Sequence, residues 1–308
     1  MASLLDRRLV LVTGKGGVGR TTIAAALGVL AARRGKRTVV CEVAEQERLA
    51  ALFGIAGVGH EERELAPGLH AVSVQPERAK EEWLQYQLKS ETLAGVLGGS
   101  RLFQYLTAAA PGLSELVTIG KVWDLAQLER RTGGSVFDLT IVDSPPTGHG
   151  LAMLRAPATY ATVARVGPIS RQARIIDAFL RDHGSTGVLV VALPEEMPVN
   201  ETIEFERRLA DELTMVVDRV VVNGMYPQRF SGAEARRLRS LDGRGSPAAS
   251  AALRAALAEH ERARGQRSQL RRLRRHVEAP VTTLPYLFEP QLGRPQVERL
   301  ANELERRL

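Results

Sequence analysis

The sequence is poor in cysteine and in aromatic residues, and it contains no long apolar run. Its 308 residues include one cysteine, and 5% of them are aromatic. A single cysteine excludes a disulfide framework, and no group of cysteine and histidine has the spacing of a zinc site. Because no stretch of about 18 apolar residues is present, we expect no transmembrane segment. The first residues lack the features of a secretory signal, and we expect a cytoplasmic protein that binds no zinc.

Charged residues are plentiful, and their excess is positive. They make up 25% of the chain beside 44% hydrophobic residues, a balance typical of globular proteins that bury a core. The formal net charge of +7 comes from arginine, which is densest in RSQLRRLRR at residues 267–275. This stretch is either a solvated helix face or a surface for phosphates, nucleic acid or anionic lipid. Since no aromatic residues are interleaved for base stacking, we expect no specific nucleic-acid partner.

Short β-branched runs alternate with helical stretches along the whole chain. We predict strands at 8–14, 37–43, 69–75, 137–143, 187–193, 218–224 and 281–286. Most of these runs are continuously apolar, as in strands that are buried on both faces of a parallel sheet. Right-handed helical crossovers between them predict an α/β fold with a doubly wound, mostly parallel sheet, in one domain spanning 1–308.

Two helical stretches are longer than an ordinary crossover. Residues 76–132 and 150–183 have helical apolar spacing, with breaks expected at Gly98–Gly99, Pro111–Gly112, Pro157 and Gly167–Pro168. We predict that these two insertions together form an α-helical subdomain. We also predict a helix over 247–276 and a terminal helix that carries Val297, Leu300, Leu304 and Leu308 on one face.

The sequence GKGGVGRT at residues 14–21 follows an apolar strand and precedes an alanine-rich helix. Its glycines allow successive backbone N–H groups to turn toward phosphate oxygens, and the following helix adds its N-terminal dipole. Thr21 is placed to bind Mg²⁺ through its hydroxyl group, and Thr22 to reach the α-phosphate. The sequence thus predicts a site for ATP or ADP with Mg²⁺, formed by Gly14, Lys15, Gly16, Gly17, Val18, Gly19, Arg20, Thr21 and Thr22.

Arg20 occupies the position at which such a loop normally carries lysine. A guanidinium group keeps the positive charge for the β- and γ-phosphates, so we expect binding to survive. It is larger and planar, and a displacement of about 1 Å in a reacting group costs on the order of a hundredfold in rate. Nucleotide binding is therefore the firmer expectation, and hydrolysis the weaker one.

A second candidate segment, FDLTIVDSPPTGHG at 137–150, places Asp143 at the end of a predicted strand. This carboxylate is expected near Thr21, where it can hold Mg²⁺ through water. The proline-restricted loop that follows, residues 145–149 with Gly148, is expected to move with the γ-phosphate. His149 is either a general acid or base or a part of this phosphate-sensing segment.

These segments resemble the deviant Walker-A ATPases, and in particular the arsenite-pump/tail-anchored-protein targeting ATPase family (the ArsA family). The resemblance rests on Lys15 within KGGVGRT and on residues 143–154, which match D-x-x-P-T-G-H-x-x-x-x-L. PGLSELVTIGKVWDLA, ALPEEMPVNET, VVNGMYPQRF and LPYLFEP are similar to bacterial members. The resemblance implies a P-loop NTPase fold and a nucleotide-sandwich dimer in which Lys15 reaches the partner's phosphates.

The resemblance also implies where the base would lie. Asn223 ends a predicted strand, and its amide can pair with adenine, while Pro285, Tyr286 and Leu287 would cover the ring. A turn-forming Asn-Gly pair is the other interpretation of Asn223. The chain contains no N-K-x-D guanine motif, which favours ATP over GTP.

The family pattern fails after the second predicted strand. VVCEVAEQERLAALFG lacks the switch I aspartate, and Ala44 takes its aligned position. Glu42 is the remaining candidate acid near Mg²⁺, while Glu45 and Glu47 either substitute for the aspartate or open the next helix. The candidate catalytic residues are therefore Lys15, Arg20, Glu42 and Asp143, and we expect weak hydrolysis by this chain alone.

Three functions remain open from the sequence. The first is a slow Mg²⁺-dependent ATPase that acts as a nucleotide-switched dimer on a client protein, whether hydrophobic or membrane-bound. The second is a hydrolysis-deficient, ATP-binding subunit of a heterodimer with a related, intact ATPase. The third is a MinD/ParA-type positioning ATPase that contacts membrane or DNA through basic helices. The terminal helix mixes glutamate and arginine on its polar face, which favours docking on its own domain over membrane binding.

Overall fold

One mixed, mostly parallel sheet organises the computed structural model, which describes residues 4–43, 48–88, 112–131, 134–163, 167–241 and 246–307. The described strands are β1 (Leu9–Gly14), β2 (Thr38–Glu42), β3 (Arg63–Ala66), β4 (Leu69–Ser73), β5 (Leu139–Asp143), β6 (Thr186–Ala192), β7 (Arg219–Met225) and β8 (Val281–Pro285). Their order across the sheet is β3-β4-β2-β5-β1-β6-β7-β8. All seven predicted strands are confirmed, and so is the α/β fold class.

The helices lie on both faces of this sheet. They are α1 (Arg20–Arg33), α2 (Arg48–Phe53), α3 (Pro76–Leu88), α4 (Leu113–Leu125), α5 (Thr147–Val163), α6 (Pro168–Arg181), α7 (Glu196–Leu213), α8 (Gly232–Arg239), α9 (Pro247–His276) and α10 (Arg294–Glu305). Alternate residues of β1 enter opposite cores: Val10 and Val12 join the cluster with α1 and α10, whereas Leu9 and Leu11 join the cluster with α4–α7. Burial on both faces explains why the strands read as continuous apolar runs.

The edge strand β3 was not expected from the sequence. It pairs antiparallel with β4, and its first two residues, Arg63 and Glu64, are exposed. A short, charged strand at a sheet edge has little apolar periodicity, and charge at that position discourages pairing with other chains. The other strand pairs are parallel, so "mostly parallel" describes the sheet correctly.

Helix α5 runs through Pro157, where we expected a break. That expectation was wrong. Pro157 and its neighbour Ala156 are buried, and Ala156 packs in a cluster with Ala173 of α6 and residues of α4. Burial of the apolar surface of Ala156 and Pro157 helps to offset the hydrogen bond that the proline ring removes. The break at Gly167–Pro168 is confirmed, because Gly167 precedes α6 with φ of 104° and Pro168 is its first residue.

Helices α3, α4, α5 and α6 share a third apolar cluster, separate from the two main cores. Its buried members are Ala79, Leu113, Leu116, Val117, Ala156 and Ala173. The described parts of the two insertions therefore pack on each other. Their grouping into a subdomain, and the single-domain extent of 1–308, stay predictions; Gly98–Gly99 and Pro111 lie outside the described residues.

The C-terminal helix α10 packs on the molecule's own core. Val297, Leu300 and Leu304 are buried, in one cluster with the alanine-rich face of α1. This confirms the expected docking of the helix on its own domain; Leu308 lies outside the described residues.

Candidate nucleotide site

The glycine-rich segment lies at the carboxyl end of β1, next to the carboxyl ends of β5 and β6. Gly14, Gly17 and Gly19 have φ angles of 149°, 84° and 94°, a region that other residues rarely adopt. A Cβ on Gly14 would collide with the carbonyl oxygen of Val191, and one on Gly19 would lie 2.5 Å from the Asn223 amide nitrogen. The glycines are therefore required by this backbone path, which leads into α1 at Arg20.

Thr21 and Asp143 meet beside this loop. The Thr21 hydroxyl donates to Asp143 Oδ2 over 2.5 Å, because β5 pairs with β1 in a register that places Asp143 opposite Val12. Asp143 is buried, and among the described residues no group donates to its other oxygen, Oδ1. Burial raises the pKa of this carboxyl, and the Thr21 hydrogen bond with the charges of Arg20 and Arg48 partly opposes the rise.

The two oxygens of this pair fit a hard divalent cation. A hydroxyl and a carboxylate oxygen that lacks a donor are the ligand types that Mg²⁺ prefers, with water and phosphate oxygens filling the remaining positions. No group of three or more histidine, cysteine, aspartate or glutamate side chains suited to a metal occurs in the described parts of the chain. Protein ligands for Mg²⁺ would thus be few, as is usual where a nucleotide supplies the rest.

Arg20 connects the glycine loop to the segment after β5. Its guanidinium donates to the carbonyl oxygen of Ser144, the residue that follows Asp143. Burial lowers the pKa of Arg20, and the charge of Asp143 partly opposes this shift. Arginine still stays protonated at any physiological pH, so the site keeps a positive charge at every such pH. This charge is directed at the protein's own backbone in the structure.

Lys15 forms an ion pair with Glu201 of α7. The same carboxylate accepts a hydrogen bond from the hydroxyl of Thr147, the first residue of α5, over 3.5 Å. We did not anticipate Glu201 from the sequence, although it lies in the segment ALPEEMPVNET that carries part of the family resemblance. Its partner Lys15 is 186 positions away, so that only the fold brings the two together.

Glu42 lies at the end of β2, opposite Asp143 in the sheet register. Its side chain is buried, and it accepts hydrogen bonds from the backbone N–H groups of Arg48, at 2.7 Å, and Leu49, at 3.3 Å. The carboxylate therefore binds the N-terminus of α2, a position where negative charge is favoured. Its predicted role near Mg²⁺ stays a prediction; Ala44, Glu45 and Glu47 lie outside the described residues.

The predicted adenine residues lie at the ends of β7 and β8. The Asn223 amide donates to the carbonyl oxygen of Val18 over 3.0 Å, so it ties β7 to the glycine loop. Asn223 and Gly224 both lie within β7, at the point where its register with β8 shifts between Val222 and Met225. Gly224, with φ of 72°, therefore belongs to an irregularity in the strand, which differs from the turn-forming interpretation of this pair. Pro285 ends β8, and Tyr286 stacks on Tyr226 with 4.6 Å between ring centroids.

The remaining predicted contacts differ in exposure. Thr22 and Leu287 are buried, Tyr286 is 40% exposed, and Gly148 is exposed in the first turn of α5. The Tyr286 ring also meets Phe288 edge to face, with 4.9 Å between ring centroids, whereas Leu287 belongs to the core. Nothing in the protein's own packing assigns Tyr286 to adenine, and that assignment stays a prediction.

A sequence profile of the anion-transporting ATPases matches residues 7–174, more than half of the chain. The chain belongs to this family. The matched region contains the glycine loop, Glu42, Asp143 and the start of α5. The resemblance to the arsenite-pump/tail-anchored-protein targeting ATPases that the sequence motifs indicate is thereby confirmed.

Individual relatives of this anion-transporting ATPase family member agree with the profile. The chain is 29% identical over 225 residues to the ATPase BagA of Mycobacterium tuberculosis, covering 71% of this chain and 66% of BagA. It is 26% identical over 280 residues to the ATPase GET3C of Arabidopsis thaliana, covering 75% and 70%. A putative arsenical pump-driving ATPase of Chlorobaculum tepidum is 30% identical over 155 residues, covering 50% and 36%. The chain thus spans just under two thirds of the length of BagA.

The sequence also led to expectations about the single cysteine and about membrane-spanning segments. Cys41 is a free, buried thiol in β2, and burial raises its pKa to about 12. It is therefore an unreactive core residue. No helix in the described ranges combines the length and the apolar character that crossing a membrane requires.

Proposed function

We propose that this chain binds ATP with Mg²⁺ and hydrolyses it slowly, as a nucleotide-switched dimer. The observation that carries the proposal is the pair of Thr21 and Asp143 beside the glycine loop, with Asp143 Oδ1 lacking a donor among the described residues. A buried carboxylate oxygen without a partner is costly unless a ligand completes its environment. Membership of the anion-transporting ATPase family supports the same conclusion.

In this proposal, different groups of the chain contact the phosphates and Mg²⁺. Backbone N–H groups of residues 14–22 hold the phosphate oxygens, and the N-terminus of α1 adds its dipole. Thr21 and Asp143 hold Mg²⁺, which supplies charge neutralisation for the β- and γ-phosphates. Lys15 and Arg20 supply the mobile positive charges that stabilise the equatorial oxygens once they leave Glu201 and Ser144. Gly148, at the exposed start of α5, senses the γ-phosphate.

Slow turnover follows from the groups that hydrolysis would need. The carboxylate of Glu42 binds the backbone of α2, so it is a poor candidate for positioning an attacking water molecule. Arg20 must leave the Ser144 carbonyl to reach a phosphate, and its larger fork changes the geometry that lysine would give. Binding depends on neither of these groups alone.

The same observation favours a second candidate function. With Glu42 engaged in α2, the chain acts as an ATP-binding subunit whose missing water-positioning acid comes from a related, intact ATPase in a heterodimer. Single-turnover hydrolysis by the purified chain, alone and mixed with such a subunit, distinguishes the two. A rate that appears only in the mixture favours the heterodimer, and an equal rate in both favours the homodimer.

The helices of the predicted subdomain are the place for a client protein in either case. Helices α3, α4 and α6 border a partly open cavity of about 60 Å³, whose lining combines polar side chains such as Glu82 and Lys121 with the apolar side chains of Trp83, Leu116, Val117, Trp123, Ile169 and Ile176. This space is far smaller than a ligand pocket of about 300–1,000 Å³, which favours the interpretation of these side chains as core. A hydrophobic client would therefore require the helices to separate.

The MinD/ParA-type alternative is less well supported. Its amphipathic anchor would be the terminal helix, yet the apolar face of α10 is buried against α1. Among the described residues, Arg267, Arg271, Arg272, Arg274 and Arg275 form no ion pair, so α9 remains the candidate surface for anionic partners.

The site is tested by replacing Thr21. We expect Thr21→Ala to lose the Mg²⁺-dependent part of its ATP affinity, at least about tenfold, because the hydroxyl ligand is gone. Thr21→Ser keeps the hydroxyl and is the matched control. Isothermal titration calorimetry with Mg²⁺ and with EDTA measures the difference. Equal ATP affinity of Thr21→Ala and Thr21→Ser in Mg²⁺ would remove the assignment.

A further inference from the structure

Glu201 occupies a position from which one carboxylate reaches two parts of the nucleotide site. One of its oxygens pairs with the ammonium group of Lys15 in the glycine loop, and the other accepts from the hydroxyl of Thr147 at the start of α5. Lys15 follows β1 and Thr147 follows β5, so the two side chains belong to different crossovers of the sheet. Glu201 therefore links them.

The backbone of α7 holds this carboxylate in place. Pro198 and Phe205, one turn before and after Glu201, are buried in the core, so Glu201 lies at the border of the buried face of α7. Its side chain is 35% exposed, and that of Lys15 is 32% exposed. The pair is thus partly buried. A partly buried ion pair is stronger than one at a fully exposed surface.

We propose that Glu201 is a positioning residue for Lys15 and competes with nucleotide phosphates for its ammonium group. This inference rests on the proposed function. An ammonium group is a compact charge, and once it is paired with a carboxylate its field on other anions is largely cancelled. The ammonium group of Lys15 therefore cannot interact strongly with a phosphate oxygen and with Glu201 at the same time.

Two consequences follow for the ligand. Glu201 weakens binding of any polyphosphate whose stabilisation depends on Lys15, whether that nucleotide is held by the same chain or by a second copy. The penalty grows with the charge near Lys15, so it is larger for ATP than for ADP. The hydrogen bond from Thr147 makes the release of Glu201 a local change at the start of α5 as well.

Glu201→Gln is the variant that tests the competition. Glutamine keeps the shape of the side chain and an oxygen that accepts from Thr147, but it removes the negative charge that holds Lys15. We expect the apparent Kd for Mg²⁺–ATP to fall about tenfold, and the Kd for ADP to fall less. Glu204→Gln is the matched control, since Glu204 lies on the same helix, is exposed and pairs with Arg207.

A double-mutant cycle identifies Lys15 as the residue through which Glu201 acts. In a Lys15→Met background, Glu201→Gln should leave the ATP affinity unchanged, because no ammonium group remains to be released. Calorimetric Kd values for the wild type, both single variants and the double variant complete the cycle. A loss of ATP affinity in Glu201→Gln, or the same gain in both backgrounds, would overturn the proposal.

The failure of this inference is distinguishable from failure of the proposed function. If the wild type binds ATP and Glu201→Gln matches Glu204→Gln, only the competition is wrong. If the wild type binds no nucleotide, the proposed function is wrong, and the same four variants in urea unfolding still measure the coupling between Lys15 and Glu201. Absence of coupling in that measurement would overturn the positioning role directly.

Discussion

Asp143 is the titratable residue that the proposed function assigns to Mg²⁺. Its carboxyl is buried, and burial raises its pKa above that of a free aspartate. A protonated carboxyl is a poor ligand for Mg²⁺. The Thr21 hydrogen bond and the nearby arginines oppose the rise and help to keep the group ionised.

We therefore expect Mg²⁺-dependent ATP affinity to decrease as the pH falls through the raised pKa of Asp143. In Asp143→Asn the Mg²⁺-dependent part should be lost at every pH between about 5 and 8, because a neutral amide replaces the ligand. Calorimetry across this range measures both proteins. Asp211→Asn, an exposed change in α7, is the control and should follow the wild type.

The raised pKa of Asp143 affects the stability of the ligand-free protein in the opposite direction: rising pH favours Mg²⁺ binding but lowers the free energy of unfolding. The folded chain binds the Asp143 proton more tightly than the unfolded chain, so the free energy of unfolding falls as the pH rises through the interval between the two pKa values. Asp143→Asn lacks this dependence. Unfolding in urea should therefore show the wild type losing stability relative to Asp143→Asn with rising pH, and a parallel pH course of the two proteins would contradict the raised pKa.

How much of the site the sequence predicts differs from residue to residue. The glycine loop and Asp143 could be placed because each directly follows a strand, and parallel strands bring their carboxyl ends to one edge of the sheet. Glu201 could not, since its contact with Lys15 depends on how α7 packs. The hydrogen bonds from α2 to Glu42 likewise depend on where the chain turns after β2.

At the scale of secondary structure, α10, the last helix of the described chain, packs against α1. Leu300 is 2% exposed and packs in the core that contains Val10, Val12 and the buried face of α1. Since α1 begins at the glycine loop, this packing also supports the helix N-terminus that the phosphates would use.

Leu300→Ala should lower the free energy of unfolding by about 2–5 kcal/mol, because it removes buried methyl groups and leaves a cavity. Arg299→Ala, an exposed neighbour, should change it by less than about 0.5 kcal/mol. Urea unfolding followed by circular dichroism measures both variants. Equal stability of the two would show that α10 does not pack on α1 as described.

The elements were largely predictable because each strand buries both faces. Continuous apolar runs between helical stretches fixed seven strands to within about two residues, the usual limit for boundaries. The edge strand β3 lacked such a run, and its charged residues face solvent. The expected break at Pro157 was wrong because tertiary packing around the neighbouring Ala156 outweighs the local preference of proline to end a helix.

At the scale of the whole molecule, the fold, the glycine loop and the pair of Thr21 and Asp143 converge on one edge of the sheet. A doubly wound sheet binds ligands outside the carboxyl ends of its strands, where the strand order reverses. Here β1 lies between β5 and β6, and the segment leaving it is the glycine loop. The proposed dimer, client and hydrolysis all depend on a nucleotide at this place.

The most direct test is a calorimetric titration of the purified, folded chain with ATP in the presence of Mg²⁺. The account predicts saturable binding with a Kd well below about 1 mM and weaker binding when EDTA removes the metal. No detectable binding of ATP or ADP at millimolar concentration, by a chain whose folding is verified by circular dichroism, would contradict it.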